Sequence, residues 1–186
     1  MPIDVTRLEH RTDDANAPEV FFTPAISPES IVAAYHALGA QLPGAMAIKI
    51  HSGESDKSNN LSPALIEPLV KELGGTLVEC ATAYNGNRET PEKILKVMKD
   101  HGYADIAPVE ILDMGGEIEI PAAKHKVIAY DIVGKHIDDY DSMFVLSHFK
   151  GHPMGGFGGA LKNVSIGLAS SNGKRWIHSG GRATDK

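Results

Sequence analysis

Three times the chain sets a hydroxyl residue directly before a proline at the head of an apolar periodicity: Ser27-Pro28, Ser62-Pro63 and Thr90-Pro91. Ser and Thr suit an N-cap because the side-chain oxygen accepts from a backbone N–H that the first turn leaves unpaired. Proline suits the first turn, where its missing N–H costs nothing. Behind these pairs apolar residues recur at helical spacing: Ile31, Ala34, Tyr35 and Leu38, then Leu65, Ile66, Leu69, Val70 and Leu73, then Ile94, Leu95, Val97 and Met98. Glycine stops follow at Gly74-Gly75 and Gly102. A short apolar run precedes each helix: EVFFT (19–23), AMAIKIH (45–51) and TLVECAT (76–82).

Strand, polar loop and helix in alternation require crossover connections. The pattern therefore predicts an α/β fold: a mostly parallel sheet with helices on both faces. Further strands are expected at VEILDM, EIEI and KVIAYDIV, with a short antiparallel excursion around 109–135. MFVLSH (143–148) reads as the best buried strand, four apolar residues followed at once by polar ones. Residues 1–17 read as a polar N-terminal arm and 18–186 as a single α/β domain.

A formal charge of −6 argues against a nucleic-acid surface, which needs a basic stripe. No apolar run is long enough to span a bilayer, and the polar N-terminus has no signal core. The chain reads as cytoplasmic. Cys80 is the only cysteine, so it makes no internal disulfide and cannot by itself hold an iron–sulfur cluster. At the end of an apolar strand it is expected to be a buried, inert thiol.

In open parallel sheets ligands bind beyond the carboxyl ends of the strands. Three unusually polar loops leave such ends here: His51–Asn60, Tyr84–Thr90 and His148–Gly159. The last lies within SHFKGHPMGGFGGALKN, a segment with little use in a packed core. Gly155, Gly156, Gly158 and Gly159 let backbone N–H groups approach an anion, or they pack a strand against a helix; spacing alone does not choose. ALKNVSIGLAS can follow as a helix whose N-terminus favours negative charge, with Lys162 one turn in. His152 is the candidate proton-transfer group, whereas His148 is expected to cap its strand. His178 sits in RWIHSGG beside the only tryptophan.

The other loops supply Lys49, His51, Glu54, Ser52 and Ser55 on one side and Asn85, Asn87 and Arg88 on the other. Alternation puts Lys49 and His51 on the same face of their strand. An ammonium within an apolar strand wants an anionic partner, as a substrate clamp or as a structural ion pair. The guanidinium of Arg88 can fork onto a carboxylate or phosphate. A small anionic ligand or a divalent metal is the expected partner, at a site formed by His51, Arg88, His152, Lys162, Lys49 and His178.

The segments AIKIHSGE, AYNGNRET, VLSHFKGHPMGGFGGALKN and HSGG resemble the domain of unknown function 362 family over about residues 19–181. The resemblance implies the N-terminal portion of a longer architecture. Many members carry a ferredoxin-like module with four-cysteine motifs. Nothing in this chain matches that module, so no iron–sulfur cluster is expected. HPMGGFGGALK is also similar to the H-x-F-A-G-F-S-G-G-R-K stretch of the lactate racemase family, enzymes using a nickel-pincer nucleotide. That likeness implies an acid/base role for His152, covalent attachment of the cofactor at Lys162 and nickel ligation by His178. The second proton-transfer histidine of that family is replaced by Asn87, which implies a related scaffold without racemase activity. Three readings follow: a metal-dependent redox or racemase-like enzyme, a binding module for a nucleotide, phosphate or carboxylate, and a structural unit that self-associates or needs a C-terminal partner.

Overall fold

The computed structural model describes residues 16–54, 59–153 and 155–184. The polar arm expected over 1–17 therefore falls almost entirely outside the described residues, as does Ser55. Four strands, β1 (Met46–Lys49), β2 (Thr76–Glu79), β3 (Val109–Ile111) and β6 (Ser142–Val145), form one sheet in the order β3-β2-β1-β6. All three pairings are parallel, with Ala47 opposite Thr76 and Ile48 opposite Phe144. This is the α/β architecture that the sequence pattern predicts.

The three Ser/Thr-Pro signals all open helices: α1 (Pro28–Leu38), α2 (Pro63–Leu73) and α3 (Pro91–Asp100). Ser27, Ser62 and Thr90 accept at the N-cap from the backbone N–H groups of Ser30, Leu65 and Lys93. Ile66, Leu69 and Val70 of α2 and Ile94, Val97 and Met98 of α3 are buried. Several of them share a core cluster with Ile48, Ile50, Leu77 and Ile111 of the sheet. Burial of side chains of this size stabilises by roughly 1.5–3 kcal/mol each. On the opposite face Ala47, Val78, Cys80 and Leu112 pack against Tyr140, Met143 and Leu168.

Gly75 is where β2 closes on β1: a Cβ there would lie 2.7 Å from the Met46 carbonyl oxygen. Past β3 the chain forms an antiparallel pair, β4 (Glu117–Pro121) with β5 (Tyr130–Gly134). A second small pair, β7 (Lys150–His152) with β8 (Gly156–Gly158), leads into α4 (Ala160–Leu168) and α5 (Ser171–His178). The last helix seats on β5. Its Trp176 Nε1 donates to the Tyr130 carbonyl at 3.0 Å, and the two rings stack at 4.8 Å.

Four details differ from the sequence reading. EVFFT is not a strand; Val20 and Phe22 are 83% and 86% exposed, and the segment joins no sheet among the described residues. β-Propensity alone does not hold an extended segment that lacks a neighbouring ladder. MFVLSH is not the best buried strand: β6 is an edge of the sheet and only half-buried, whereas β1 and β2 hold the centre. The antiparallel excursion begins at Glu117, because Val109–Ile111 belongs to the parallel sheet. Finally, SNGKRWIH, left without an element in the sequence reading, is α5, capped by Ser170, which accepts from the Gly173 N–H.

Candidate functional site

A cleft of about 590 Å³ opens where β1, β2 and β6 end. His51 and Glu54 reach it from the turn after β1, Thr82 to Tyr84 and Arg88 from the loop after β2, and Ser147, His148 and Lys150 to His152 from the segment after β6. The start of α4 adds Lys162 and Asn163, and α5 adds Lys174 and His178. The three polar loops singled out in the sequence therefore meet at one place.

Its floor is a carboxylate. Glu79, the last residue of β2, is 2% exposed. Lys49 Nζ donates to its Oε2 at 2.8 Å and Arg88 Nη2 to its Oε1 at 2.7 Å. The backbone N–H of Ser52 adds a third bond at 2.9 Å. Burial alone would push this carboxyl up; the Lys49 ammonium and the Arg88 guanidinium overcome it and hold Glu79 well below the usual carboxylate range. The remaining Lys49 donors go to the Ile50 carbonyl at 2.6 Å and Asn163 Oδ1 at 2.8 Å. With all three protons engaged, Lys49 is a structural ion-pair partner here, and its substrate-clamp reading has no free donor to act with.

Around this floor stand groups with capacity to spare. Arg88 is 5% exposed, yet its Nε has no partner among the described residues, and neither has Nδ1 of His148. Buried polar atoms are rarely left so, which makes both notable on a cleft wall. His51 approaches Glu79 Oε1 at 3.6 Å; burial holds its imidazole below the usual histidine range despite that neighbour. Glu54 accepts from Tyr84 at 3.1 Å and lies 3.5 Å from Arg88 Nη1. Lys150 donates to the Asn59 carbonyl at 3.0 Å, and burial, with Arg88 nearby, lowers its pKa.

The glycine segment is a hairpin, and only part of it touches the cleft. Gly158 and Gly159 line the wall, whereas Gly155 and Gly156 lie at the turn and do not. Gly156 takes φ +74°, a left-handed conformation that a side chain would strain. The Gly155 N–H donates to His152 Nδ1 at 3.0 Å, which fixes the ring beside the cleft and puts the neutral imidazole's proton on Nε2. His178, at the exposed end of α5, lines the same cleft.

Metal-ligand geometry lies elsewhere. Among the described residues, the one group of three or more His, Cys, Asp and Glu ligand atoms within reach of a common ion is Glu110, His136 and Asp139. None of these lines the cleft, and His178 belongs to no such group. Cys80 is buried in the cleft wall. Desolvation pushes its thiol up to about 12, and its Sγ donates to the Leu168 carbonyl.

The sequence reading missed Glu79, Lys150, Asn163 and Lys174. Glu79 carried a legible signal, a carboxylate inside the apolar run TLVEC, the counterpart of Lys49 inside AMAIKIH. Asn163 and Lys174 carried none, because ordinary helices display such residues on solvated faces.

Residues 46–185 match the model of a family described as a domain of unknown function, DUF362. No curated protein and no solved structure matches the chain.

Proposed function

Since the chain belongs to the DUF362 family, whose description assigns no chemistry, we propose from the cleft itself that the protein binds a small organic anion, a carboxylate or phosphate, at the carboxyl ends of its parallel strands. One observation carries this reading: five lysine and arginine side chains line the cleft against two glutamates. Glu79 is already neutralised by Lys49 and Arg88. Lys150 and Lys162, both outside that cluster, therefore leave a positive field in a chain whose formal charge is −6, and low-dielectric walls focus such a field. Thermal unfolding against phosphate, oxalate and nucleotides, at ionic strength matched with chloride, tests it. Stabilisation that grows with anion concentration is expected by mass action. A flat midpoint across the panel rejects it.

A catalytic role is the finer reading. His152 and His51 would exchange protons with the bound anion, and Lys162 and Arg88 would orient it. The likeness to the lactate racemase segment supports His152, Lys162 and His178 as one working group, since all three line this cleft. It does not extend to nickel. The cleft gathers no cluster of protein metal ligands among the described residues, and no step is assigned to a metal. Asn87, where that family has its second proton-transfer base, argues for one-sided proton transfer over racemisation.

Self-association is a separate reading. It would use the exposed Phe149, Phe157 and Leu161, and sedimentation across a concentration series would reveal it. No helix is long and apolar enough to cross a membrane among the described residues.

A further inference from the structure

Of the three buried basic side chains on the cleft wall among the described residues, Lys49 and Arg88 each hold one oxygen of the Glu79 carboxylate. Lys174 is 7% exposed and, among the described residues, has no carboxylate at ion-pair distance. Its Nζ donates to the backbone carbonyl of Ala169, a neutral acceptor. The position is firmly built. Ser170 caps α5 one turn earlier, and at the adjacent Gly173 a Cβ would come within 1.9 Å of the Ile132 carbonyl oxygen, so the helix start is pressed directly onto β5.

We infer that Lys174 is a nucleophilic amine that condenses with the carbonyl group of an anionic oxo compound, such as a small 2-oxo acid, held in the cleft. The inference rests on the anion-binding reading for its choice of substrate, and on Lys174 alone for its chemistry. A buried ammonium without a counter-charge is costly, so the neutral form is favoured. Desolvation is the largest influence on this amine and Lys49 acts in the same direction; Cys80, Glu79 and Asp113 oppose them without prevailing, and the pKa lies below the usual lysine range. Desolvation beside a second cation is a recognised means of activating a lysine towards carbonyl groups.

The step needs no oxidant or reductant. The lone pair of Nζ attacks the carbonyl carbon, and the carbonyl π pair moves to oxygen. Proton transfer from nitrogen to oxygen gives a carbinolamine, and loss of water leaves a C=N bond to Lys174. Lys150 and Lys162, both partly exposed, would supply the charge that faces the carboxylate of the oxo acid.

The test incubates the full chain with glyoxylate and cyanoborohydride, which reduces the imine to a stable carboxymethyl amine, and locates adducts by peptide mass mapping. Modification at Lys174 at least about tenfold faster than at the exposed Lys71 and Lys96 is expected for an activated amine. Mapping is done on the native wild-type chain, so no variant has to fold. Adducts confined to Lys71 and Lys96, with oxalate still raising the melting temperature, would overturn the inference and leave anion binding intact. A Lys174 adduct that oxalate suppresses would support both. A Lys174 adduct that forms equally fast with uncharged acetaldehyde and ignores oxalate would support the amine and overturn the anion.

Discussion

Lys49 and Glu79 stand on adjacent parallel strands and meet at 2.8 Å with side chains 1% and 3% exposed. Arg88 closes on the other oxygen of the same carboxylate. One buried negative charge is therefore shared by two buried cations beneath the cleft. Glu79→Gln keeps the shape and removes that charge, leaving Lys49 without a carboxylate and Arg88 with only Glu54 at 3.5 Å, and is expected to cost about 3–5 kcal/mol in urea unfolding. Lys71→Ala, which breaks only the exposed pair with Glu67, is expected to cost under about 1 kcal/mol. Equal small losses for the two variants would mean that water reaches the floor.

The same cluster sets the acid limb of stability. Glu79 has its pKa depressed when folded, so its contribution is complete above its ordinary value of 4.5 and is lost as pH falls through the lower folded value. His51 is also depressed. Below its ordinary value of 6.5 the unfolded chain takes up the proton first, and stability falls with pH. Urea midpoints from neutral to acid pH are expected to decline in two stages, and His51→Gln is expected to remove the upper stage alone. An unchanged upper stage in that variant would assign it to another group.

Cys80 is expected to be silent towards aromatic disulfides in the folded protein. Its thiol is buried and pushed up to about 12, which leaves almost no thiolate at neutral pH. Labelling should appear only in denaturant and follow the unfolding curve. Rapid stoichiometric labelling of the native chain would contradict the packing around β2.

What the sequence made legible follows the range of the forces involved. Helix starts are written locally, and Ser27, Ser62 and Thr90 all cap as their side-chain chemistry predicts. Strand existence is local too, but strand rank is not. MFVL is as apolar as any run in the chain, yet β6 ends at the sheet edge because nothing in its own residues says how many neighbours it will have. The cleft was legible as three loops at strand ends, which a parallel topology forces onto one side. Its floor was half legible: Lys49 announced a missing anion, but Glu79 comes from another strand, and only the register of β1 against β2 brings them together. Asn163, which holds Lys49 from α4, depends on a contact between segments far apart in sequence.

Lys150 and Lys162 are partly exposed and outside the ion-pair floor, so they separate binding from folding. Lys150→Ala and Lys162→Ala are each expected to change stability by less than about 0.5 kcal/mol. Each should also weaken phosphate or oxalate stabilisation, by roughly 1.4 kcal/mol for a tenfold loss of affinity. Melting curves with and without oxalate separate the two effects. Variants that melt and respond like the wild type would place the anion elsewhere.

Lys174 gives the last expectation, on the alkaline side, with the opposite sense to a stabilising ion pair. Its folded pKa lies below its ordinary value of 10.5, so between the two values the unfolded chain holds more protons. Stability then rises with pH through that interval. Other groups titrate there as well, and the comparison is therefore with Lys174→Met, which fills similar space without a charge. Wild type is expected to gain on the variant as pH climbs from neutrality towards 10.5, because deprotonation in the unfolded chain removes the penalty of burying an ammonium. A constant gap between the two melting curves would mean that Lys174 is as protonated inside the protein as in water, and an amine in that state could not act as the nucleophile of the cleft.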